Sequence, residues 1–130
     1  MKTTTGGSGG RPMIQSGRGV VSSGHYLATG IGVDILRRGG NAMDAAAATG
    51  FALTLLQPHQ CGIAGEVPVL TYAVDEGRAW AISGHGTAPR EATLERYLGY
   101  GLDVIPGDGF LPSLVPSPVA TWILGLRRFG

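Results

Sequence analysis

The chain has 130 residues, 43% of them apolar, and its ten basic and nine acidic side chains leave a formal charge of +1. This composition fits one packed domain and excludes a disordered tail, and so even a charge supplies no field for nucleic acid or a membrane surface. The single cysteine, Cys61, excludes an internal disulfide framework and fits a reducing compartment, so the expected location is the cytoplasm.

Residues 1–18 are rich in glycine, serine and threonine and read as a flexible arm, without the apolar stretch that a secretory signal needs. Residues 19–130 read as one domain. Its first element, Val20 to Ser23, has the look of a short buried strand with Gly24 and His25 as its exit. From Tyr26 to Arg38, Leu27, Ile31, Ile35 and Leu36 recur on one helical stripe, while Asp34, Arg37 and Arg38 point largely away from it. The two arginines stand where the negative end of the helix dipole favours cations.

Gly39 and Gly40 stop that helix, and Asn41 then offers a side-chain oxygen to the free amides of the next one. Asp44 supports the cap from the first turn, near the positive end of the dipole. From Ala42 to Leu56 nearly every side chain is apolar, so this helix has almost no wet face. It is too short to span a bilayer, which takes roughly 17 to 25 apolar residues, and it therefore reads as a central helix. Its alanines and Gly50 thin one flank for a close neighbour. Pro58 ends it, because the residue before a proline avoids helical angles.

Val67 to Val74 and Ala79 to Ser83 read as antiparallel strands joined by a turn at Asp75 to Arg78, with Pro68 marking an edge or bulge. A short helix from Glu91 to Tyr100 is expected to turn Ala92, Leu94 and Leu98 inward. Pro106 to Gly109 is a turn, Pro112, Pro116 and Pro118 keep the backbone extended, and Val119 to Phe129 resumes a helical pattern. Two strands and a short third leave the helix faces largely uncovered, so the elements make an α+β assembly that is incomplete in this chain.

Few side chains stand out chemically. His25, His59 and His85 follow no metal-ligand spacing, so no metal or other cofactor is expected, and His59 reads as a helix-end residue bonded to backbone. Cys61 has nothing nearby in sequence to activate it and reads as a packing residue. The glycines from Gly62 to Gly65 follow a helix and precede a strand, the reverse of the order a phosphate loop requires. Asp108 reads as a turn acid, and Trp80 and Trp122 as core or interface aromatics.

The run from Gly19 to Glu66, GVVSSGHYLATGIGVDILRRGGNAMDAAAATGFALTLLQPHQCGIAGE, closely resembles the start of the large subunit of the γ-glutamyltranspeptidase family. The resemblance continues in order through LTYAV, SGHGTAP and VPSPVATWILGLRRFG, to Gly130. It implies the N-terminal part of an N-terminal-nucleophile fold, two stacked antiparallel sheets between helical layers (αββα). It also implies an enzyme, an amidohydrolase or acyltransferase of γ-glutamyl amides such as glutathione. In the family a precursor cuts itself in two, and the threonine that opens the small subunit attacks the amide with its own α-amine as base.

None of the threonines here sits in the family's cleavage motif, so no catalytic residue is assigned and the chain alone is expected to be inactive. Its partners would be the remainder of the large subunit, a threonine-bearing small subunit and a small-molecule amide substrate. One position carries over to the substrate. Where members acting on γ-glutamyl compounds have an Asp-Gly-Arg-Glu-Thr-Ala-Pro type segment, this chain has Ser83 to Pro89, with His85 in place of the arginine that grips the α-carboxylate. Imidazole lacks the paired donors of guanidinium, so the clamp is weakened. Together with Gly65-Glu66-Val67-Pro68 and the IPGDGFLP run from Ile105 to Pro112, this resembles a divergent branch that includes enzymes acting on small amides such as oxamate. A reading of a different class is a non-catalytic remnant or docking subunit, suggested by helix faces with too few strands to cover them.

Overall fold

The computed structural model describes residues 13–130; residues 1–12 of the expected arm lie outside the described residues. Met13 to Arg18 are exposed and belong to no helix or strand. The elements in order are α1 (Tyr26–Arg37), α2 (Ala42–Leu56), β1 (Val69–Ala73), β2 (Arg78–Ile82), α3 (Leu94–Gly99) and α4 (Pro118–Phe129).

Helix α2 packs between α1 and α4 and its cap is complete, but it is wetter than its composition predicts: only Met43, Ala45, Ala47 and Thr49 are buried, and Leu55 is 84% exposed because no element among the described residues covers that end. Asn41 Oδ1 accepts from the amides of Met43 at 2.8 Å and Asp44 at 3.1 Å, and the Asp44 carboxylate accepts from the Asn41 amide at 2.9 Å. This reciprocal box satisfies donors that the first turn otherwise leaves bare. The glycine stop is equally local: Gly39 has φ of +94°, and its neighbour Gly40 donates to Ile35 O at 3.0 Å.

Small residues set the distance between α1 and α2. Ala28 and Gly32 are the buried residues of α1. A Cβ on Gly32 would stand 2.3 Å from Thr49 Oγ1, so the two helices touch there almost backbone to backbone. Leu27 and Ile31, expected to face inward, are instead 49% and 43% exposed. The packed face is the small-residue one, a quarter turn from the large apolar stripe.

Val20 to Ser23 is not a strand. It runs extended without a ladder partner among the described residues, and Val20 is 62% exposed. Val21 packs its methyls over Gly32. Ser23 Oγ donates to His25 O at 2.9 Å and shares a 2.7 Å bond with Thr29 Oγ1, so the segment serves as the lead-in to α1. A strand is defined by its neighbour, and this segment pairs with none.

On its other side α2 meets α4 and the hairpin. Met43, Ala47 and Trp122 form the core, with Phe51, Val67, Val69, Leu126 and Phe129 packed around them. Gly50 makes room for Trp122, since a Cβ there would come within 2.5 Å of the indole Cζ2. The two ends of the chain's helical layer are joined by Asn41 Nδ2, which donates to Phe129 O at 2.6 Å.

Strands β1 and β2 pair antiparallel from Val69 opposite Ile82 to Ala73 opposite Arg78. Gly77, with φ of +64°, closes the turn between them. Val69, Thr71 and Ala73 face the helices. Leu70, Tyr72 and Val74 face outward and are 79%, 62% and 84% exposed.

The hairpin is clasped to the end of α4. Glu76 pairs with both Arg78 and Arg128, Trp80 Nε1 donates to Glu76 Oε2 at 3.1 Å, and the Arg78 guanidinium lies 3.8 Å from the centre of the Trp80 ring. Trp80 is therefore a half-buried interface aromatic, and Trp122 is the core one.

Helix α3 begins later than expected, at Leu94, because Thr93 takes extended angles and accepts from the Arg96 amide at 3.3 Å. Leu94 and Leu98 do not turn inward; they are 70% and 56% exposed, and Tyr97, which donates to Leu111 O at 2.6 Å, is the half-buried residue of the turn. No helix among the described residues is long and apolar enough to cross a membrane.

Candidate functional site

Three connecting segments meet beside the hairpin: the loop after α2 (residues 62–67), the exit of β2 (residues 83–87) and the approach to α4 (residues 115–117). Backbone bonds join them. Val67 N donates to Gly84 O at 2.9 Å, Ser117 Oγ donates to the same oxygen at 2.5 Å, Ser117 N to Gly65 O at 3.3 Å, and Val115 N to Thr87 O at 2.9 Å.

The glycines of the β2 exit are demanded by this crossing. Gly84 is buried, has φ of +62°, and a Cβ on it would lie 2.0 Å from Val67 O. A Cβ on Gly86 would lie 1.6 Å from Val115 O. Main chain therefore packs against main chain on both sides of His85, and the imidazole is the part that can project.

His85 projects towards Glu66. Its Nε2 stands 3.6 Å from Glu66 Oε2, and its Nδ1 lies 3.3 Å from Ser83 Oγ. Both side chains are about half exposed, at 49% for His85 and 50% for Glu66. The Nε2 separation is longer than a hydrogen bond, so the ring donor and the carboxylate keep capacity for a third group. A donor-capable nitrogen and an acceptor-only carboxylate thus stand side by side on a rigid base.

Glu66 also lies at the edge of a cleft, a space of about 710 Å³ bordered by residues 18–23, one flank of α2, Cys61 and Trp122. His85 is not in its wall. The hydroxyls that α2 contributes there are already spent, since Thr49 Oγ1 donates to Ala45 O at 2.7 Å and Thr54 Oγ1 to Phe51 O at 2.8 Å.

The remaining candidates fall elsewhere. His25 caps α1, its Nδ1 accepting from Leu27 N at 3.2 Å. His59 is exposed and makes no hydrogen bond among the described residues; the backbone amides of Gln60 and Cys61 close the end of α2 instead, both on Gln57 O. No three histidine, cysteine or acidic side chains gather in a metal-binding group among the described residues. Cys61 is half-buried in the cleft wall. Sequence reasoning singled out His85 and not its neighbour Glu66. Of the three unusual segments, Gly65-Glu66-Val67-Pro68 and Ser83-Gly84-His85-Gly86 are two that touch.

Comparison with known proteins follows the same lines. Residues 28–130 match the family described as Gamma-glutamyltranspeptidase. Among curated relatives, the chain is 36% identical over 122 residues to the Acylase ACY 1 proenzyme of Pseudomonas sp. (strain SE83), covering 87% of this chain and 22% of that protein. It is 35% identical over 113 residues to the Oxamate amidohydrolase proenzyme of Klebsiella pneumoniae, covering 86% and 21%. The solved structure of Helicobacter pylori gamma-glutamyltranspeptidase superimposes with a TM-score of 0.80 at 33% identity, over 92% of this chain and 35% of that one. The chain spans about a fifth of the length of these curated relatives, both of them proenzymes.

Proposed function

The chain belongs to the gamma-glutamyltranspeptidase family and carries part of its N-terminal-nucleophile hydrolase fold, and on that premise we propose that it forms the N-terminal part of the large subunit of an amide-cleaving acyl-transfer enzyme. Its contribution is scaffold and one wall of the substrate site. The nucleophile comes from a threonine-bearing small subunit, and these residues by themselves turn over no amide. Several threonine hydroxyls are committed to local bonds, as Thr29, Thr49 and Thr54 illustrate. The reading keeps the cytoplasm as the compartment, on the strength of the lone Cys61.

The observation that carries the proposal is the presentation of His85. The main-chain crossing at Gly84 and Gly86 leaves this side chain projecting at the position where the resemblance puts the substrate. Imidazole offers a single donor on that side, and Glu66 stands beside it, so a substrate held chiefly by its α-carboxylate gains less than it would from a guanidinium.

The substrate class is an amide, with γ-glutamyl amides such as glutathione as the first reading. The Glu66 carboxylate beside His85 favours a second reading, a small amide such as oxamate, whose grip does not depend on an arginine clamp. The assay that separates them measures hydrolysis of a γ-glutamyl anilide against ammonia release from oxamate by the full-length protein. Turnover of neither substrate overturns the proposal.

A further inference from the structure

We infer that Glu66 and His85 form a recognition pair for a ligand end that carries an N–H donor beside an oxygen acceptor, and that Glu66 is the specificity-determining residue that selects the N–H. The inference deepens the proposed function, in which His85 faces substrate, by naming the chemical end that this wall of the site accepts.

The pair is built for two-point contact. Glu66 can only accept, and no protein hydrogen bond occupies its carboxylate among the described residues; its neighbour is His85 Nε2 at 3.6 Å. When Ser83 Oγ donates to Nδ1 across 3.3 Å, Nε2 carries the ring proton and can only donate. Acceptor and donor are then adjacent, half exposed, and held on segments whose backbones are bonded through Val67 and Gly84 at 2.9 Å. A ligand with an N–H and an oxygen close together meets both.

Two chemical ends share that arrangement. A primary carboxamide gives its NH2 to Glu66 and its carbonyl to His85. An α-amino acid end gives its ammonium to Glu66 and its carboxylate to His85. The same carboxylate works against a ligand bearing only acidic oxygens, because two like charges then share one wall. Selection comes from this repulsion as much as from the attraction.

Calorimetric binding to the full-length protein that contains these residues tests the inference, with L-glutamate and oxamate as probes and glutarate and oxalate as controls lacking the N–H. At least one probe is expected to bind about tenfold more tightly than its control, and Glu66→Ala is expected to erase that preference. Glu66→Gln separates the two ends. Glutamine still accepts from a carboxamide, so oxamate stays within about threefold, while an ammonium loses its ion pair and glutamate weakens about tenfold.

Absence of any preference in the unaltered protein, or a preference that survives Glu66→Ala, overturns the inference. Amide turnover without such a preference leaves the proposed function standing and removes this one. A Glu66-dependent preference without turnover of any amide does the opposite. Among the described residues the Glu66 side chain makes no hydrogen bond, and an unchanged melting temperature in both variants accompanies the expected result.

Discussion

The indole of Trp122 lies against the backbone of Gly50, close enough that a Cβ built on the glycine would sit 2.5 Å from Cζ2 and 2.8 Å from Cε2. The contact joins α2 to α4 at the core, and Trp122 is only 8% exposed. An indole wedged in a core has no free end to swing aside. Gly50→Ala gains helix propensity worth about 1 kcal/mol but must displace the ring, an overpacking cost of about 1–3 kcal/mol. Net destabilisation of about 1 kcal/mol is expected by urea unfolding, and Gly50→Val should exceed it. Stabilisation by Gly50→Ala would contradict the packing described.

Asn41 serves two helices at once. Its Oδ1 caps α2, and its Nδ2 donates to Phe129 O at 2.6 Å. Asn41→Ala removes both and should cost about 2 kcal/mol, the upper part of the range for a lost cap. Asn41→Asp retains the cap and loses the donor, so it should recover part of the loss. Chemical denaturation of the three proteins in parallel measures the division.

The crossing beneath His85 should tolerate no side chain. With Val115 O 1.6 Å from the Cβ position of Gly86, Gly86→Ala must push main chain from main chain. The Val115 to Thr87 hydrogen bond is the first to part. Faster amide exchange at Val115 and Ser117, with α1 and α2 unchanged, is the expected signature. Uniform protection across the variant would show that the crossing yields elsewhere.

Glu76 sets an acid limit on the clasp. Loss of hydration pushes its carboxyl up, but hydrogen bonds from Arg128, Arg78 and Trp80 outweigh this and hold it below the ordinary value of 4.5. A carboxyl depressed in the folded state contributes stability that is fully present above its unfolded value and is lost as pH falls through the folded one. The hairpin should therefore hold to α4 at neutral pH and loosen below about 4.5. In Glu76→Gln, the acid limb of a melting-temperature profile between pH 3 and 6, about the carboxylate range, should flatten.

His85→Arg restores paired donors at the projecting position. In the full-length protein it should raise kcat/KM for a γ-glutamyl anilide about tenfold, the worth of one added charge-assisted contact. A γ-glutamyl end also gives its ammonium to Glu66, so His85→Arg combined with Glu66→Gly should gain less than His85→Arg alone. An unchanged kcat/KM in both would remove His85 from the substrate wall.

What the sequence made legible was local. Asn41 and Asp44 announce a cap, Gly39 a stop and Pro58 an end, because each acts on backbone within a turn of itself; α2 accordingly runs from Ala42 to Leu56 as expected. The hairpin was legible for the same reason, with Gly77 in its turn. What depended on distant neighbours was not. Val20 to Ser23 has the composition of a strand but no partner among the described residues, and the Leu27 and Ile31 stripe lost its burial to the smaller Ala28 and Gly32 face. His85 was singled out by resemblance alone. Glu66, in a loop 19 positions earlier by numbering, becomes its neighbour only through the bond between Val67 and Gly84.

The outward row of Leu70, Tyr72 and Val74 imposes a schedule on biosynthesis. A two-stranded ribbon is marginal in water, and its free margins invite any extended polypeptide to join them. From the moment the ribbon leaves the ribosome, the right cover must arrive before a wrong one does. Yield in the cell should thus track how promptly that cover is supplied, making co-expression and chaperone supply, more than melting temperature, the levers for obtaining soluble material.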